Sequence, residues 1–194
     1  MGRYVPINRR RREGVTDYGA RKKAIVSHKT LLVVRITGKN ISAQFVKPQV
    51  KGDLVVASVH SRALRKLKWG GSLKSLPACY LLGLLAGKTG KAKGISEAVV
   101  YNGVLPFIKG SRLAAFIKGA RDGGLGVLAS EEVFPTEEKL KGESIATFAA
   151  ALQKESKEAY QKKFSAMLKA GFKPEDYPAR VEEMKLTILG GGKK

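Results

Sequence analysis

Arg9, Arg10, Arg11 and Arg12 are consecutive, and Tyr18, Arg21, Lys22 and Lys23 follow closely. Guanidinium groups at this density do no covalent chemistry. Their forked donors match phosphate oxygens, and arginine planes and tyrosine rings stack on bases. The segment 3–23 holds eight Lys or Arg against two acids, with no apolar period running through it. It cannot bury a face of its own. Like charges this close repel, and a phosphate-rich partner removes that cost. A solvated charge run and a localisation signal are the other readings of such a stretch.

Groups able to do covalent or metal chemistry are sparse. In residues 1–129 the only acids are Glu13, Asp17, Asp53, Glu97 and Asp122. They fall on different elements without motif spacing, whereas a metal-dependent nuclease needs carboxylates that converge. Cys79 is the single cysteine, so there is no intrachain disulfide and no Cys/His cluster for zinc. His60 stands alone and reads as structural or exposed. No Walker or dinucleotide pattern is present, and no cofactor is expected. A DNA regulator would want a helix-turn-helix or a dimerising recognition helix, and neither is evident, so DNA is not an expected partner. The longest apolar stretch, 77–87, is too short and glycine-rich to span a bilayer. No apolar segment follows the basic N-terminus as in a signal peptide, which points to the cytosol and away from membranes.

The net charge of +21 is carried unevenly. Residues 1–129 hold 25 basic and 5 acidic residues, and residues 130–194 hold 12 and 11. The leading two thirds therefore meet a polyanion, and the last third faces water or another protein.

The elements that position the cations follow from periodicity. A short helix runs through Val26, with Thr16 or Asp17 as its cap. Segments 31–37 and 40–47 alternate with period two and form a hairpin turning at Gly38-Lys39. Leu32, Val34, Ile36, Ile41, Ala43 and Phe45 share its greasy face. Arg35, Thr37, Ser42 and Gln44 share the polar one, with Lys39 and Asn40 at the tip. No acid interrupts that polar face, which tilts an ordinary wet sheet surface towards RNA contact. Segment 53–59 adds a third strand, and Ser61 is placed to cap a basic helix over 62–68. Trp69, among lysines, is a hinge-packing or base-stacking residue. Segment 75–88 reads as a buried helix capped by Ser75 or Leu76, its Gly83 and Gly87 allowing close approach to the strands. The strand 97–101, reached through that helix, is expected parallel to a neighbour. Lys109, Ser111 and Arg112 lead into a helix over 111–122, a ready phosphate site. Ser130 is placed to cap an acidic turn. Apolar spacing then predicts one helix of about seven turns over 144–169, and a last helix over 175–188 tolerates Pro178 near its start. The fold class is α/β: a mixed sheet, an antiparallel meander plus a parallel strand, packed with helices. The expected organisation is a basic tail (1–27), a core (28–129) and a helical C-terminal extension (130–194), ending in a loose glycine-lysine end.

Four stretches in order, YVPINRRRREGVTDYGARKK, VVRITGKNISAQ, SLPACYLLGLLAGK and GVLPFIKGSRLAAFIKGARDGG, resemble the archaeal and eukaryotic branch of large-subunit ribosomal protein eighteen. The resemblance covers nearly the whole chain. It implies a place in the central protuberance, with 5S rRNA, 23S rRNA and neighbouring ribosomal proteins as partners. It points to Arg9, Arg10, Arg11, Arg12, Tyr18, Arg21, Lys22 and Lys23 in the tail as RNA ligands. In the hairpin it points to Arg35, Lys39, Asn40 and Gln44, and at the helix start to Ser111 and Arg112. Thr37, Trp69 and Lys109 complete the candidate set from the residues themselves. The turn here reads TGKN rather than an asparagine-lysine turn. A general RNA chaperone and, more remotely, a metal-dependent nuclease are the alternatives.

Overall fold

A computed structural model describes residues 6–49 and 52–190. One helical turn, α1 (Arg9–Arg12), precedes α2 (Tyr18–Val26). The strands β1 (Leu31–Ile36), β2 (Ile41–Lys47) and β3 (Leu54–His60) form the expected meander. After α3 (Arg62–Lys66) and α4 (Leu76–Ala92) the chain returns as β4 (Val99–Tyr101), then α5 (Arg112–Asp122). The last third holds α6 (Glu137–Lys141), α7 (Glu143–Glu155), α8 (Lys157–Lys169) and α9 (Tyr177–Leu189).

The sheet order is β3-β2-β1-β4. β1 pairs antiparallel with β2, and β2 with β3, while β4 runs parallel to β1, as a strand reached through a helical crossover should. The greasy face is as predicted. Leu32, Val34, Ile41, Ala43 and Phe45 are buried beneath α4 and α5. The other face is not uniformly wet. Ala24 of α2 covers Leu31 and Val46 there, making a small second cluster with Val33, Val99 and Tyr101 packed around it.

α4 starts where Ser75 accepts a hydrogen bond from the Ala78 amide at 3.4 Å, with Pro77 in its first turn. It runs a turn beyond the predicted end. Gly83 and Gly87 do not approach the strands: they meet α5. A Cβ on Gly83 would lie 2.1 Å from the Phe116 carbonyl, and one on Gly119 would lie 2.1 Å from the Tyr80 carbonyl. Two backbones touch here because neither helix carries a side chain at the crossing. Gly90 is the glycine of α4 that meets the sheet, against the Phe45 ring.

The single long helix predicted over 144–169 is two helices. At Ser156 the backbone is extended (φ −155°, ψ 112°), and its hydroxyl accepts from the Ala159 amide at 3.3 Å to start α8. The polar run from Gln153 to Glu158 leaves nothing to bury at the join. The chain folds back so that Ala149, Tyr160 and Phe164 pack together. Gly142 sits at φ 81°, ending α6 and starting α7, a conformation that suits glycine.

The shift at residue 130 is one of charge rather than of packing. Tyr177, Val181, Met184 and Ile188 of α9 are buried in the same core as the sheet and α4. The Tyr177 hydroxyl lies 2.9 Å from the Ser75 hydroxyl. Ser130 makes no capping bond, and the acidic turn Glu131–Val133 follows it. The glycine-lysine end from 191 onward lies outside the described residues.

Candidate nucleic-acid interface

The tail is docked. Asp17, rather than Thr16, caps α2: its Oδ1 accepts from the Gly19 amide at 2.9 Å and the Ala20 amide at 3.1 Å. The Thr16 hydroxyl instead accepts from Arg10 Nε at 2.9 Å. Arg21 donates to Asp53 at 2.6 Å, tying α2 to the start of β3. That hydrogen bond, more than the charge attraction, raises the guanidinium pKa above its ordinary value and keeps it cationic. Lys29 reaches Glu97 at 2.6 Å and holds that carboxyl below the usual carboxylate range. α1 buries nothing, so Arg9, Arg10, Arg11 and Arg12 project into solvent, with Arg9 3.6 Å from Glu13.

Across the sheet the register aligns Arg35 with Ser42 and Ser42 with His60. Next along lie Val33, Gln44 and Ser58. Thr37 and Asn40 close the turn: the Thr37 hydroxyl donates to the Asn40 carbonyl at 2.8 Å and accepts from its amide at 3.1 Å. Lys39 is left exposed at the tip. Ser61 does not cap α3. It is fully buried, accepts from the Ile41 amide at 3.2 Å and lies 3.2 Å from the Asn40 side-chain oxygen, so it clasps the hairpin. His60 serves α3 instead, its Nδ1 accepting from the Arg62 amide at 3.1 Å.

These pieces enclose a groove of about 640 Å³. Arg10, Tyr18 and Arg21 from the tail line it together with Arg35 and Thr37 from the hairpin. The segment 101–105 forms another wall, and its contribution was missed from the sequence. Its sequence pattern marks Tyr101 only as part of a strand. The one signal available was an apolar stretch placed in a loop, where burial could not explain it.

Other candidates lie apart from the groove lining. Lys22 and Lys23 are exposed on α2, and Gln44 is half-buried on the sheet. Lys109 and Arg112 are exposed around the start of α5, where the Ser111 hydroxyl is occupied by the Ala114 amide at 3.4 Å. Trp69 is not a stacking residue. It is 3% exposed, its ring meets Phe172 and Tyr177 edge-on at 5.4 Å each, and its indole N–H donates to the Ser72 carbonyl. No face of the ring is left for a base. Among the described residues, no group of three His, Cys, Asp or Glu side chains is placed to hold a metal ion. No helix among them is long and apolar enough to cross a membrane.

Fold and groove together define a basic α/β protein with clustered arginines on one side of its sheet. Residues 2–105 match the model of the family described as ribosomal large subunit proteins 60S L5 and 50S L18. The large ribosomal subunit protein uL18 of Thermofilum pendens is 41% identical over 95% of this chain and 93% of its own length. Those of Aeropyrum pernix (43%, over 95% and 86%) and Methanothermobacter thermautotrophicus (42%, over 96% and 95%) are similar to the same extent. The chain belongs to this family of large-subunit ribosomal proteins, whose role is structural and not enzymatic.

Proposed function

We propose that this chain binds 5S rRNA and attaches it to 23S rRNA in the central protuberance of the large subunit. The observation that carries the reading is the convergence of Arg10, Tyr18, Arg21 and Arg35 on one groove, beside a tail whose four consecutive arginines are free of burial. Phosphates replace the mutual repulsion of these cations with attraction and release their own counterions. The sheet face and tyrosines then read RNA shape and unpaired bases. The near-neutral last third, with α7 standing on α9 and α8 packed on α7, faces neighbouring ribosomal proteins. Capture of the tagged chain from cells, followed by sequencing of the bound RNA, tests this. Enrichment of 5S and 23S rRNA together is expected. Recovery of RNAs in proportion to abundance would instead mean a general RNA chaperone.

A further inference from the structure

We infer that the groove lined by Tyr18 and Tyr101 takes an unpaired nucleotide of the RNA partner, its base against the tyrosine and aliphatic walls and its phosphates on the arginines. The inference rests on the RNA-binding reading above and adds what kind of RNA the site takes.

The cavity, about 640 Å³, falls among sites that enclose a single small ligand, roughly 300–1,000 Å³. Its charge is one-signed. Arg10, Arg21 and Arg35 line it and no carboxylate does. Its other walls are apolar and wet. Val104 is 52% exposed and Leu105 58%, and Val15 is exposed beside Tyr18. A duplex meets a protein surface with phosphate and sugar, which would leave these side chains in water. An unpaired base covers them, and single-stranded segments are where RNA offers such bases.

The walls are also fixed in advance. Tyr101 is held in β4 by pairing with Val33 of β1. It lines the groove together with Arg21, whose guanidinium Asp53 anchors. The Asn102 amide donates to the Leu105 carbonyl at 2.9 Å, holding the turn that carries Val104. A stacking ring and a phosphate-binding cation are thus set side by side before any ligand arrives.

The test uses the full chain and a single-stranded RNA octamer containing 4-thiouridine, compared with the same octamer annealed to its complement. Photocross-links from the single strand are expected at Tyr18 or within 101–105, and the single strand should bind at least tenfold more tightly than the duplex. Tyr101→Ala should weaken the octamer about tenfold, as loss of one stacking platform does, and Tyr101→Phe should restore binding. Cross-links confined to other surfaces, or equal binding of single strand and duplex, would overturn the inference. Should Tyr101→Ala fail to fold, the cross-link map of the unsubstituted chain still decides. A 5S transcript is titrated in the same buffer. If it binds while the octamer maps elsewhere, only the unpaired-nucleotide site falls. If no RNA binds, the reading beneath it falls as well.

Discussion

Arg21 and Asp53 show how a single pair serves placement. Their side chains are about one third exposed, so the bridge contributes less than about 1 kcal/mol of stability. Its role is to hold α2 and aim a cation at the groove. Asp53→Asn is therefore expected to leave the denaturant midpoint nearly unchanged and to weaken RNA binding, since the charged anchor that aims Arg21 is lost. A loss of magnesium-dependent RNA cleavage in that variant would instead point to an enzyme. Inside the core, burial pushes the Cys79 thiol from 9.0 up to about 12 and the Tyr177 phenol from 10.0 up to about 12. Both groups are neutral when folded and would ionise more readily in the unfolded chain. Their contribution is complete below about pH 9 and is lost as pH rises from 9 to 12. The melting temperature should be flat from pH 7 to 9 and then fall, and Tyr177→Phe should make the fall shallower.

At the scale of elements, the crossing of α4 over α5 depends on absent side chains. Gly83→Ala places a methyl where the Phe116 carbonyl already sits, and backbone cannot give way as a flexible side chain can. The expected cost is at least about 3 kcal/mol by urea unfolding, at the upper end of overpacked cores. Gly38→Ala, at the hairpin turn with open space around it, gives the contrasting small effect. The hairpin, α4, α5 and the parallel return of β4 were legible because alternation and helical spacing report which face is buried. The break at Ser156 was not, because apolar residues keep helical spacing on both sides of a polar join. Ser61 was misread, and Trp69 stood open between packing and stacking, for a related reason. A serine before a helix and a tryptophan among lysines look the same in sequence whether they face solvent or the core. The groove was only half legible. Its arginines stand out in composition, but residues 10–21, 33–37 and 101–105 meet only through the sheet register and the docking of α2.

For the molecule as a whole, charge and packing divide differently. The excess of cations lies in residues 1–129, yet α9 completes the core beneath Trp69 and α4. The near-neutral last third thus supports the cationic face from behind without adding to its field. The most direct test is the affinity of the full chain for a 5S transcript as a function of salt, with and without Arg9 to Arg12 replaced by alanine. With about eight phosphates neutralised at about −0.7 each, log K should fall against log salt with a slope near −6. The four substitutions should weaken binding and flatten the slope to about −3. An unchanged affinity and slope would contradict the account.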